Sequence, residues 1–251
     1  MKLVAAILTL VFVGCAGPSD APFIEVRGWG TMREVLREGD TRGRVPLVAV
    51  VEDHTWGVGA LEGLEGEITI VDGEVSIAQV VHGELVLRGL RKRDEASLLV
   101  LAEVSAWHED SLPQVRGLRD LETVLEGRVR LAGLDPGLTP VPVHVEGSFE
   151  WLSLHVLDGS CPVARPDGPP PWRWEGGGAR GGLVGVYAEG QGGVMTHHGQ
   201  RLHLHAVVVD PDGRVLSGHV DDVALGEGSR LFLPAPDGVP VQGGLRVEKG
   251  P

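Results

Sequence analysis

The residues with the clearest chemical potential lie between Arg201 and Leu225, in the run RLHLHAVVVDPDGRVLSGHVDDVAL. His203 and His205 are two apart, so on a strand both imidazoles point to the same face. Asp210-Pro211-Asp212-Gly213 is a turn with a mechanism, since Pro presets φ and Gly accepts a positive φ. A turn centred near Asp212 sets His205 opposite His219 on the returning strand, where facing Cβ atoms lie about 4.5–5.5 Å apart. Three imidazoles then converge on one point. That is the donor set of a Zn²⁺ site that keeps one coordination position open for water or substrate. The competing expectation is an amphipathic hairpin whose polar face happens to carry histidines. His197 and His198, just upstream, are read as exposed loop residues, with a further ligand or an imidazole-orienting partner as the alternative.

Such side chains need a rigid sheet to hold them, and the rest of the chain supplies strands. VPLVAVV from Val45, then EITIV, EVSIAQVV, ELVLRG and ASLLVLAEV, are broken by Gly and Asp turns. VPVHVEG and FEWLSLHVL follow after a gap, and residues 183–251 are strand-like again. Two helices interrupt them. Thr31 to Gly39 carries a capping box (Thr31 with Glu34) and a glycine stop, and Leu118 to Arg130 places Leu118, Leu121, Leu125 and Val129 on one face. Residues 158–182, DGSCPVARPDGPPPWRWEGGGARGG, are so rich in Pro and Gly that they are expected to form an irregular loop. The reading is an α+β chain of mostly antiparallel or mixed sheet with two short helices. It divides into residues 1–20 as a leader, 24–157 as an N-terminal sheet region, the 158–182 loop, and 183–251 carrying the histidine hairpin.

Composition removes several classes of function. The 251 residues carry 35 acidic and 22 basic side chains, a net charge of −13 that disfavours a nucleic-acid partner. With 38 Gly and 17 Pro, long helical bundles are excluded, and two Cys make no disulfide framework. The N-terminus reads as an address. Lys2, the apolar run LVAAILTLVFV and Gly14-Cys15-Ala16-Gly17 form an export signal that resembles a lipobox, with Cys15 as the lipidated residue. The mature protein is therefore expected to be exported and lipid-anchored to a bacterial membrane, facing the periplasm or exterior. A plain secretory signal is the alternative. Lipidation of Cys15 would leave Cys161 as the only thiol.

The hairpin, together with several upstream blocks, resembles the α-acetolactate decarboxylase family. HLHAVVVDPDGRVLSGHVDDV is similar to that family's metal-binding signature. Gly57-Val58-Gly59-Ala60-Leu61 followed by Leu64-Glu65-Gly66-Glu67 resembles its G-x-G-T-F…L-D-G-E block. The segments Gly30–Thr41, Val143–Phe149 and Gly181–Val186 support the likeness, which runs in order from about Gly28 to Leu225. The resemblance implies that His203, His205 and His219 ligate zinc and that Glu67 is an active-site carboxylate. It implies conversion of 2-acetolactate, a small 2-hydroxy-3-keto acid, to acetoin and CO₂, and assembly as a homodimer. Zinc would act as a Lewis acid on the substrate oxygens, and a carboxyl group with a raised pKa would return a proton to carbon. Read without the resemblance, Glu67 lies on the Glu67-Thr69-Val71 face of EITIV and is expected to meet solvent.

The chain also departs from the family. The family's substrate-binding Arg falls on His155, and imidazole offers no bidentate fork. Ala60 replaces a Thr. His155 is expected to line the pocket as a base or extra ligand, or else to pack beside Trp151. Arg165, Arg173, Arg180 and Arg201 are the candidates to restore the missing cation. A related metalloenzyme acting on another small keto or hydroxy acid, and a non-catalytic metal-binding surface lipoprotein, remain alternatives.

Overall fold

The computed structural model describes residues 25–161, 163–165, 167–235 and 246–248. The leader, with Cys15, lies outside them. Two β-sheets face each other across the molecule. The first contains β1 (Val26–Trp29), β2 (Val45–Pro46), β3 (Thr55–Leu61), β4 (Glu67–Val71), β5 (Glu74–Val81), β6 (Glu84–Arg88), β7 (Glu95–Glu103) and β15 (Arg246–Glu248). Its order is β15-β1-β7-β3-β4-β5-β6, with β2 on β7, and only the β1–β15 pair is parallel. The second contains β8 (Trp107–Ser111), β9 (Val141–Val156), β10 (Trp172–Gly176), β11 (Arg180–Tyr187), β12 (Leu202–Val209), β13 (Val215–Leu225) and β14 (Arg230–Pro234). Its pairs are all antiparallel. This is the mostly antiparallel α+β architecture expected from the sequence.

The second sheet curls because β9 is 16 residues long and pairs with four strands, β10, β11, β13 and β14. Its first half pairs with β11 and its second half with β13, so β9, β11, β12 and β13 close on themselves. The enclosed face holds a core that includes Val143, Phe149, Leu154, Leu204 and Val220. Helix α2 (Leu118–Leu131) seals this core with Leu118, Leu121, Leu125 and Val129, the stripe read from the sequence. Each such side chain taken out of water contributes roughly 1.5–3 kcal/mol. Helix α1 (Met32–Leu36) begins at a complete capping box: Thr31 Oγ1 accepts from Glu34 N–H at 3.1 Å, and Thr31 N–H donates to the Glu34 carboxylate at 3.0 Å.

Two sequence expectations need correcting. Residues 158–182 are not wholly irregular, since β10 and the start of β11 fall inside them. Trp172 and Trp174 alternate with Arg173 and Glu175, and both indoles pack against the core beneath β9, which outweighs the disorder expected of flanking Pro and Gly. The VPVHVEG and FEWLSLHVL runs are one continuous strand, and β8 and β9 pair with the C-terminal strands. The division between the sheets therefore does not fall at residue 157.

Candidate metal centre

The Asp210–Gly213 turn forms as its residues dictate. Gly213 has φ 83°, Gly213 N–H donates to Asp210 O at 3.0 Å, and the Asp210 carboxylate accepts from Asp212 and Arg214 N–H. This fixes the register of the hairpin, and His205 stands opposite His219. His219 in turn faces His155 on β9, and His155 faces Arg173 on β10. One transverse row thus runs Arg173–His155–His219–His205 over four strands, on the face turned toward the first sheet. His203, two residues before His205, joins the same face. Leu202, Leu204 and Ala206, on the alternate positions, enter the core instead.

His203, His205 and His219 are buried, with their ligand nitrogens within 4.8 Å of one another. Their second nitrogens are held from behind. His203 Nδ1 donates to Met195 O at 3.0 Å, which leaves Nε2 as the free lone pair. His205 Nδ1 lies 3.2 Å from Thr69 Oγ1, which is 3.1 Å from Ser217 Oγ, and all three groups are buried. His205 Nε2 is then a buried nitrogen with no hydrogen-bond partner. Such an atom is costly unless an electrophile meets it. Burial, followed by the neighbouring rings, pushes His203 down to about 3 and His205 and His219 well below the usual imidazole range. Three imidazoles kept neutral are what a metal ion requires, because ligand and proton compete for one lone pair. The residues present fit a metal.

Glu67 meets this cluster from β4. Far from solvent-exposed, it is 3% exposed, which corrects the expectation for an isolated strand glutamate. The face it shares with Thr69 does alternate with Ile68 and Ile70, but both faces of β4 are covered. Its Oε1 accepts from Leu157 N–H at 3.3 Å, and its Oε2 stands 3.7 Å from His205 Nε2. That last separation is too long for a hydrogen bond, and with His205 neutral it is no ion pair. Burial pushes the Glu67 carboxyl up to about 7, against the opposing pull of His155 and the Leu157 amide. It can therefore hold or release a proton near neutrality.

His155 lines the pocket, as one expectation had it, and is tied to a residue the sequence reading passed over. His155 Nδ1 lies 2.8 Å from Asp221 Oδ1, and Arg173 Nη1 donates to Asp221 Oδ2 at 2.5 Å. Burial alone would raise Asp221, but the His155 contact and the Arg173 charge hold it below the ordinary carboxylate range. The i+2 spacing of Asp221 from His219, on one strand face, was the available signal. Thr69 had the same signal, two residues from Glu67.

A cavity of about 460 Å³ opens over the cluster. Glu67, His155, His203, His219, His197 and Arg173 are among the polar residues that line it, and Met32, Leu36, Leu98, Leu157, Cys161 and Val163 among the apolar ones. His197 is thus half-buried rather than an exposed loop residue, with its ring 4.9 Å from that of His219. The loop before it is folded back against α1, whose Met32 and Arg33 amides donate to Val194 O and Gly193 O at 2.9 Å. His198 is exposed at the cavity's edge. Of the four candidate arginines, Arg173 lines the cavity. Arg201 instead pairs with Glu126 at 2.6 Å.

No protein-family model matches the sequence, and no curated protein matches it. The fold, however, is shared with solved structures. The α-acetolactate decarboxylase of Bacillus subtilis strain 168 superposes with a TM-score of 0.67 at 16% identity, over 90% of this chain and 89% of that one. The acetolactate decarboxylase of Bacillus subtilis subspecies spizizenii gives 0.66 at 17%, over 89% of each chain. A Staphylococcus aureus protein of unknown function, similar to α-acetolactate decarboxylase, gives 0.62 at 18%, over 83% and 84%. The chain has an acetolactate-decarboxylase-like fold.

Proposed function

We propose that this protein is a zinc-dependent decarboxylase of the α-acetolactate type, acting on a small 2-hydroxy-3-keto acid. The observation that carries the reading is the meeting of three buried, neutral histidines with a buried Glu67 whose pKa is pushed up to about 7. Bound zinc would supply Lewis acidity toward the substrate's carbonyl and hydroxyl oxygens. His203, His205 and His219 would hold it, and Met195 O and the Thr69–Ser217 pair fix two of those rings. In the reaction the C–C bond to the carboxylate breaks, CO₂ leaves, and the electron pair left on carbon takes a proton from the protonated fraction of Glu67, whose carboxylate then regains one from solvent. Met32, Leu98 and Leu157 give the cavity apolar lining beside these groups. The protein would work exported and lipid-anchored through Cys15, which metabolic labelling with a radioactive fatty acid tests.

Zinc-loaded protein should convert 2-acetolactate to acetoin with release of CO₂, and Glu67→Gln should bind zinc yet lose turnover. Normal zinc binding without acetoin would refute the decarboxylase reading. A second reading is favoured by His155 standing where the family has Arg. It is a related metalloenzyme for another small keto or hydroxy acid, and a panel of 2-hydroxy-3-keto acids separates the two.

A further inference from the structure

We infer that Arg173 is the carboxylate anchor of this pocket. The inference rests on the reading of the pocket as an acid-binding site and adds the residue that sets its specificity. Register places Arg173 directly opposite His155, at the end of the histidine row and on the same face. Both side chains line the 460 Å³ cavity. The arginine is half-exposed, at 52%, so it stands at the mouth where an incoming anion first arrives. Asp221 takes Nη1 alone, through the oxygen that His155 does not use. Among the described residues, no hydrogen-bonding partner is found for Nε or Nη2. Those two N–H groups form the edge of a guanidinium that grips a carboxylate with two parallel hydrogen bonds.

Asp221 therefore orients the fork rather than covering it. Pro169, Pro170 and Pro171 lead into β10, and their locked φ angles stiffen the approach. Arg33 and Arg37 of the α1 region also border the cavity, but neither belongs to the strand row that ends at His155. An acid gripped by Arg173 would lie along the row. Its carboxylate would be above His155 and its hydroxyl and carbonyl oxygens toward His219, His203 and His205.

The test uses zinc-loaded full-length protein and two unreactive probes, 2-hydroxy-2-methylbutanoate and its amide, with binding measured by titration calorimetry. The wild type should prefer the acid. Arg173→Gln should weaken the acid by roughly 10- to 100-fold, the weight of a charged hydrogen-bonded contact, and leave the amide unchanged. Arg173→Lys keeps charge without a fork and should fall between. Arg33→Gln and Arg37→Gln should bind both probes as the wild type does, and zinc stoichiometry should be unchanged throughout. The inference is overturned if the wild type does not discriminate acid from amide, if Arg173→Gln or Arg173→Lys keeps the full preference, or if the loss follows Arg33 or Arg37. Arg173-dependent acid binding without CO₂ release from 2-acetolactate would remove the decarboxylase reading and leave the anchor. CO₂ release with acid binding indifferent to Arg173→Gln would do the reverse.

Discussion

Replacing Glu67 by Gln should stabilise the metal-free protein, and increasingly so as pH rises. The carboxyl is fully enclosed and titrates near 7 in the folded state, against 4.5 for an ordinary glutamate. A group with a raised folded pKa contributes its stability fully below the unfolded pKa, and that contribution is lost as pH climbs through the folded value. Between pH 5 and pH 8 the wild type should therefore lose about 2–3 kcal/mol that Glu67→Gln does not, since each pKa unit corresponds to about 1.4 kcal/mol. The buried histidines titrate in both proteins, so their contribution cancels in the comparison. Urea unfolding of chelator-treated wild type and variant at the two pH values gives four free energies, and the difference of differences is the quantity to read. Adding zinc should shrink it, because a cation beside Glu67 favours the ionised form. A difference within about 0.5 kcal/mol of zero, on a scale where surface substitutions fall, would refute the enclosed-carboxyl argument.

The histidines give a prediction of opposite sign. Three ordinary imidazoles would cost roughly 1,000-fold in metal affinity between pH 7.5 and 5.5, but here burial already keeps the rings neutral, so chelator competition should show less than about tenfold. By the same linkage their stabilising contribution is present above about 6.5, and the metal-free fold loses it as pH falls toward the value of about 3 held by His203, visible as a falling melting temperature. Thr69→Val removes the partner of His205 Nδ1 and should weaken zinc by about 10–100-fold in the same competition assay. Thr31→Ala breaks the capping box of α1 and should cost about 1 kcal/mol in urea unfolding, leaving the zinc stoichiometry unchanged.

The histidine hairpin was legible because a turn sequence fixes register. Once Gly213 sets the reversal, strand pairing leaves His205 no other partner than His219. The α2 stripe and the α1 capping box were legible for the same reason, being local patterns with one geometric outcome. Glu67 was not, because period-two alternation tells which residues share a face but not what lies across from it. The covering layer comes from β12 and β13, about 140 positions later, as the Thr69–His205 contact shows. Arg173 was one candidate among four. What singled it out was β10, a strand whose flanking prolines and glycines hide it from any composition argument, and whose place is set by tryptophans packing on a distant core. The likeness to acetolactate decarboxylases was readable in a few blocks, whereas the fold carries it over most of the chain at 16–18% identity.

The site is split between layers, with imidazoles on one sheet and Glu67 and Thr69 on the other, and this has a consequence for how the molecule comes into being. The contacts that join the two layers, Thr69 with His205 and Glu67 with Leu157, span 136 and 90 positions, and proteins dominated by such non-local pairings fold slowly, on the millisecond-to-second scale. During synthesis the strands of the first sheet, apart from β15, emerge well before the histidines do. A chain halted before His219 has no pocket to offer a cation. A metal held by His203, His205 and His219 would therefore enter a hairpin completed late in synthesis, on a sheet framework already made, unlike small zinc domains that fold around their ion.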